Sequence, residues 1–138
     1  MHTFSEQAQG VIELARFASD KGWLPATSGN LSILVERDPL LFAITRSGAD
    51  KQRLTERDVL LVDADMRVQG ETSYRPSAET TVHVALYDKL SCGSILHVHT
   101  VYNNLISELF ARQGALHCPA TYASVAGVPL VHSIAACP

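Results

Sequence analysis

Ser94-Ile95-Leu96-His97-Val98-His99-Thr100 is a short, β-branched and apolar run carrying two histidines one residue apart. Its composition predicts a strand. Alternate side chains of a strand share a face, so His97 and His99 are expected to point the same way, roughly 6–7 Å apart along the chain. That placement suits two imidazoles converging on one divalent metal at about 2.0–2.1 Å. Taken alone, the pair also suits two histidines hydrogen-bonded on a sheet face.

On the N-terminal side of this run, Pro76-Ser77-Ala78-Glu79-Thr80-Thr81-Val82-His83 opens a helix expected to reach about Leu90, closed by Ser91-Cys92-Gly93. Ser77 is the expected N-cap, with Val82, Ala85 and Leu86 facing inward. Glu79 falls in the first turn, where the helix dipole favours an acid and where a carboxylate can also be aimed into a site. His83, one turn further on, reads as a hydrogen-bonded packing residue, and Cys92, a candidate third, soft metal ligand by type, as a half-buried structural thiol in the turn before the strand. On the C-terminal side, Val101 to Arg112 reads as a third helix. From Gln113 onward no period is clear, and no element is expected to close the sheet. His117, Cys118 and His132 are metal-binding residue types, but no spacing ties them to His97 and His99.

The first half of the chain reads as a helix followed by strands. Thr3 to Lys21 is amphipathic, with Val11, Ile12, Leu14, Ala15, Phe17 and Ala18 as its apolar stripe. Thr3 and Glu6 fit a capping box and Gly22 a stop, while Gly10 weakens the helix slightly. Trp23 to Ser32 then runs through a proline and a polar turn into a strand. Leu31, Ile33 and Val35 alternate as a half-buried strand would, although Leu34 breaks the pattern. Asp38-Pro39 turns the chain into a second strand, Leu40 to Thr45, which together predict a hairpin. Arg46-Ser47-Gly48-Ala49-Asp50-Lys51 is a polar turn that either cradles a phosphate or lies solvated. Asp58 to Val62 reads as a further strand, turned by Asp63-Ala64-Asp65 and returning through Met66-Arg67-Val68.

A chain of 138 residues is long enough for one domain with a real core and short for two. Hydrophobic content of 46% with 18% charged residues is that of an ordinary globular domain. The net charge of −3 and the scatter of its eleven basic residues argue against a nucleic-acid or membrane surface. No apolar run approaches the roughly 20 residues of a membrane span, and the N-terminus lacks a signal-peptide pattern, so a cytoplasmic location is expected. Three irregularly spaced cysteines argue against a disulfide framework.

Four stretches, taken in order, resemble one family. They are Trp23 to Ser32, Ile44 to Lys51, Pro76 to Thr80 with His83 and Tyr87, and Leu96 to Thr100. Their order and spacing are similar to the class II aldolase/adducin superfamily over about residues 5–110. The Pro25-Ala26-Thr27-Ser28 turn and Pro76-Ser77-Ala78-Glu79-Thr80 look most like its methylthioribulose-1-phosphate dehydratase branch. The resemblance implies an α/β fold, in which a central, largely antiparallel sheet is flanked by helices, as one domain over 1–138. It implies that His97 and His99 bind one zinc ion per subunit and that Glu79 is the catalytic acid/base. It also implies that Asn30, Ser47, Gly48 and Ser77, with Lys51, hold the phosphate of a sugar-phosphate substrate. A tetrameric homo-oligomer is implied as well.

The chemistry so implied is zinc-dependent dehydration of 5-methylthioribulose 1-phosphate to 2,3-diketo-5-methylthiopentyl 1-phosphate in methionine salvage. Zinc stabilises the charge that develops as the C3 proton leaves, and Glu79 moves protons and helps expel the C4 hydroxyl as water. A class II sugar-phosphate aldolase, which breaks the C3–C4 bond, and a non-catalytic oligomerisation module like the adducin head are the alternatives. In that branch a third zinc histidine sits in a Gly-His-Gly-like stretch that would fall beyond residue 138, and the tail from about Gln113 does not resemble the family. A C-terminally truncated or frame-shifted product, with a sheet incomplete at that side, is therefore the expectation.

Overall fold

The computed structural model describes residues 3–109 and 133–137. The chain runs through helix α1 (Phe4–Asp20), strands β1 (Asn30–Arg37), β2 (Leu40–Thr45) and β3 (Val59–Asp63), helix α2 (Thr80–Lys89), strand β4 (Ser94–Val98), helix α3 (Val101–Leu109) and strand β5 (Ser133–Cys137). The five strands form one sheet in the order β3-β2-β1-β4-β5, and every pairing in it is antiparallel. This is the helix-flanked antiparallel architecture expected from the sequence.

Both faces of the sheet are packed, which explains why Leu34 disturbs the alternation in β1. Leu31, Ile33 and Val35 face α1, joining Val11, Ala15, Ala43, Val59 and Val98 in one core. Leu34 lies against the opposite core, where Phe42, Ile44, Leu60, Val62 and Ile95 meet Leu86 and Tyr87 of α2. A strand covered on both sides is apolar in both phases. A register shift between Leu34 and Glu36 marks an irregularity in β1, beyond which Glu36 and Arg37 still pair with Leu41 and Leu40 of β2. Helix α1 begins with the expected reciprocal cap, Thr3 and Glu6 each bonding the other's backbone N–H. Gly10 has a packing reason, since a Cβ there would stand 2.8 Å from Ile33 Cδ1. The glycine lets α1 settle directly on β1.

Four expectations need correction. Helix α2 begins at Thr80, so Ser77 is not its N-cap; the cap position is held by Glu79. Ala85 is exposed, and the inner face of α2 is instead Thr80, His83, Leu86 and Tyr87. The strand carrying the histidines ends at Val98, which leaves His99 just beyond it. The sheet also gains an outer neighbour for β4, because β5 pairs along it from Ser94↔Cys137 to Val98↔Ser133. His117, Cys118 and His132 lie outside the described residues. Cys92 is buried within the α2-side core, as a structural thiol would be.

Candidate active site

The antiparallel register of β1 and β4 places Asn30 directly opposite His97. Both side chains emerge on the α2 face at the end of the sheet where α2 begins, and both are buried. The approach of β1 to this point depends on Gly29, whose φ is +75°. A Cβ at that position would stand 2.4 Å from Leu24 Cδ2 and 2.6 Å from the His97 carbonyl oxygen. Backbone sterics and left-handed geometry both require glycine there.

Glu79 is delivered to the same spot by a turn ahead of α2. The Ser77 carbonyl accepts the backbone N–H of Thr80 at 3.1 Å and its hydroxyl at 2.6 Å. The Ser77 hydroxyl oxygen accepts the Glu79 N–H at 3.3 Å. Serine competes for backbone donors in this way, and the turn replaces what the pattern offered as a helical one. Glu79 Oε2 consequently accepts from the Asn30 amide and lies 3.1 Å from His97 Nδ1. The second hydrogen of the Asn30 NH2 reaches Ser77 Oγ at 3.2 Å. The Glu79 side chain remains 44% exposed, which leaves its carboxylate reachable from solvent.

His99 lies beside His97, with ring centroids 4.9 Å apart and ring planes inclined by 36°. Its backbone N–H donates to the Trp23 carbonyl at 2.8 Å, tying the end of β4 to the turn before β1. With Glu79 as acceptor, His97 donates from Nδ1 and keeps a lone pair on Nε2. That is the form in which imidazole binds a metal, and a carboxylate on the other ring nitrogen is the usual way to orient it. Nitrogen donors from His97 and His99 suit a divalent ion of the zinc type. Among the described residues, no cluster of three or more His, Cys, Asp and Glu side chains is arranged to hold a metal ion. The two imidazoles therefore fit as part of a ligand set.

The Arg46 to Lys51 turn is brought alongside. Arg46 and Pro76 form a bridge, and the Ser47 N–H donates to the Arg75 carbonyl at 2.9 Å. Gly48 sits in the left-handed region at φ +69°. Arg46 is held by Asp58 at 2.8 Å and stacks over Tyr74, with 4.4 Å from its guanidinium carbon to the ring centroid. Lys51 is buried, and its ammonium donates to the Thr27 carbonyl at 2.6 Å and the Ala49 carbonyl at 2.9 Å. Burial, then the nearby Arg46 charge, lower its pKa, and the Asp50 and then the Glu79 carboxylates work in the opposite direction. Lys51 thus clamps the Thr27 turn to the Ala49 turn.

The structure brings Asn30, Ser77, Glu79, His97 and His99 into one cluster, with Ser47, Gly48 and Lys51 on the adjoining turns. Sequence reasoning gave no role to two buried polar residues behind them, Ser32 and Tyr87, although both stand within or beside the family-like stretches. Ser32 lies two positions after Asn30 on the same strand face, and Tyr87 one helical turn after His83. Both spacings were readable as same-face signals.

Comparison with known proteins bears on the family and the fold. The sequence model of the class II aldolase and adducin N-terminal domain matches residues 9–136. The methylthioribulose-1-phosphate dehydratase of Geobacillus kaustophilus is 50% identical over 111 residues, covering 80% of this chain and 51% of that protein. Its counterpart in Bacillus subtilis is 48% identical over 109 residues, covering 78% of this chain and 52% of that protein. Among solved structures, an L-fuculose 1-phosphate aldolase superposes with a TM-score of 0.69 at 30% identity, covering 79% of this chain and 50% of the aldolase. The chain spans about half the length of the curated relatives it matches.

Proposed function

Because the chain belongs to the class II aldolase and adducin N-terminal domain family, we propose that it performs the dehydration that names the curated relatives it matches, loss of water from 5-methylthioribulose 1-phosphate. The observation that carries this reading is the convergence of Asn30, Ser77, Glu79, His97 and His99 at one end of the sheet. All five lie within the stretches that resemble the dehydratases. The product is 2,3-diketo-5-methylthiopentyl 1-phosphate.

In this reading His97 and His99 hold a zinc ion. When bound, the ion acts as a Lewis acid that polarises the C2 carbonyl and offsets the charge developing as the C3 proton leaves. Glu79 takes the C3 proton on its carboxylate and returns it to the C4 hydroxyl, which departs as water. The bond balance is loss of C3–H and C4–O, formation of a C3–C4 enol, and its conversion to the diketone. Ser77 Oγ already accepts two hydrogen bonds, so its own proton is directed to a phosphate oxygen. With the Ser47 N–H taken by the Arg75 carbonyl, the Ser47 hydroxyl and the Gly48 N–H are the donors this turn offers to the same phosphate, and Lys51 holds the two turns in place while contributing its charge.

Support for self-association comes from α3, where Val101, Tyr102, Leu105 and Leu109 expose apolar side chains along one short helix. No helix among the described residues is long and apolar enough to cross a membrane.

The aldolase structure that the chain superposes on favours one competing outcome, cleavage of the C3–C4 bond. Incubating the zinc-supplemented protein with 5-methylthioribulose 1-phosphate separates the two. Formation of the diketone phosphate supports dehydration, whereas release of a small sulfur-bearing aldehyde rejects it in favour of the aldolase. Absence of both products rejects the enzymatic reading of this chain.

A further inference from the structure

Behind Glu79 runs a row of buried polar side chains whose donors and acceptors can be laid out in only one direction. An ionised carboxylate offers acceptors alone, so the end of the Asn30 amide that meets Glu79 Oε2 and Ser77 Oγ is the NH2. The other end, Oδ1, meets His83 Nε2. An amide oxygen only accepts, so the His83 proton resides on Nε2. His83 Nδ1 then carries a lone pair and accepts the Ser32 hydroxyl at 2.7 Å. The Ser32 oxygen in turn accepts the Tyr87 O–H at 2.9 Å.

Asn30, Ser32, His83 and Tyr87 are all nearly inaccessible to solvent. Burial, assisted by the nearby His97, lowers the His83 pKa to about 3 and keeps the ring neutral. Burial likewise pushes the Tyr87 hydroxyl up, so it stays a donor. The two ends of an Asn side chain are nearly the same shape. The amide is therefore held from both sides: turned over, it would set its oxygen against the Glu79 carboxylate and its NH2 against the His83 N–H.

We propose that His83 is a positioning residue for the site: its Nε2–H, donated to Asn30 Oδ1, locks the amide with its NH2 against Glu79 and Ser77 and so fixes where the Glu79 carboxylate stands. The consequence for turnover rests on the dehydratase reading; the assignment of the His83 proton does not. His83→Leu removes the donor, whereas His83→Gln keeps an N–H that reaches the same oxygen. Tyr87→Phe removes a buried hydrogen bond at the far end of the row but leaves Ser32 able to donate to His83.

Nitrogen-15 NMR of the histidine-labelled chain tests the assignment without turnover. A neutral His83 ring with its proton on Nε2 at about pH 7 is expected, and a proton on Nδ1 overturns the proposal. Turnover of 5-methylthioribulose 1-phosphate then tests the consequence. His83→Leu is expected to lower kcat by about 10–100-fold with KM little changed, His83→Gln to recover most of that loss, and Tyr87→Phe to lose stability while keeping kcat. Equal kcat losses in the Leu and Gln variants, or a Tyr87→Phe loss as large as that of His83→Leu, show a merely structural role and overturn it. An inactive wild-type chain rejects the dehydratase reading, and the ring tautomer still decides the His83 assignment.

Discussion

Asn30 and His97 face each other across the β1–β4 pairing, and one carboxylate oxygen of Glu79 is bonded to both. The candidate acid/base is therefore held by two strands and a helix start at once. Its position is set by the sheet register.

Replacing Glu79 with Gln keeps the size of the side chain and removes its capacity to take a proton. Turnover of the sugar phosphate is expected to fall by about 10²–10⁴-fold. Circular dichroism and thermal unfolding should show the fold retained. A variant with kcat close to that of the wild type would exclude Glu79 as the acid/base.

If the proposed site holds zinc, metal uptake is expected to depend on the imidazole pair. Elemental analysis of the zinc-supplemented protein should find about one ion per chain, and His97→Ala should lose it. His99→Ala, which keeps the Glu79-oriented ring, should weaken binding less completely in a competition titration with a chelator. Unchanged zinc content in His97→Ala would place the ion elsewhere.

Gly29→Ala drives a methyl group into Leu24 and the His97 carbonyl while holding a left-handed φ. The expected cost is about 2–3 kcal/mol, read from urea denaturation. Zinc affinity should fall with it, because the carbonyl that must move belongs to His97. Gly48→Ala has the same backbone demand with open space around its Cβ, and should cost less.

The His83 ring gives a stability signature in acid. Its pKa falls from 6.5 in the unfolded chain to about 3 in the folded one. Between those values the unfolded chain binds more protons, so stability rises with pH across this window and is lost as pH falls through it. The limiting slope for one group is about 1.4 kcal/mol per pH unit. Urea denaturation at a series of pH values should show a shallower acid limb in His83→Gln than in the wild type. Parallel curves would show that His83 does not titrate in this way.

The elements readable from sequence were those whose causes are local. The capping box of Thr3 and Glu6 is a four-residue interaction, and Leu40 to Thr45 is bounded by a proline turn and a polar loop. The orientation of α2 was misjudged because hydrophobicity is a poor guide where a helix buries His83 and Tyr87 against a polar site. Counting only apolar positions rotated the inner face toward Ala85, which is exposed. Ser77 carried the right residue type for a cap but is used in the turn that aims Glu79. Strand β5 has no period of its own to announce it, because its place comes from pairing with β4. The His97–His99 pair and Glu79 stand out from strand alternation and helix-start position alone, whereas the roles of Asn30, Ser77 and Lys51 come through family likeness. Their mutual contacts are tertiary, and single-residue spacing does not encode them.

The site's hydrogen bonds join positions far apart along the chain: 47 residues separate Asn30 from Ser77, 49 separate it from Glu79, and 53 from His83. Contacts of such long range form late, since closing the intervening loop costs entropy before any contact offsets it. The β1–β2 hairpin and α1 can assemble early from neighbouring residues, but the Asn30–Glu79–His97 cluster exists only once β4 has docked against β1. In a refolding experiment, recovery of zinc binding would thus mark the end of folding, after most of the helical signal has returned.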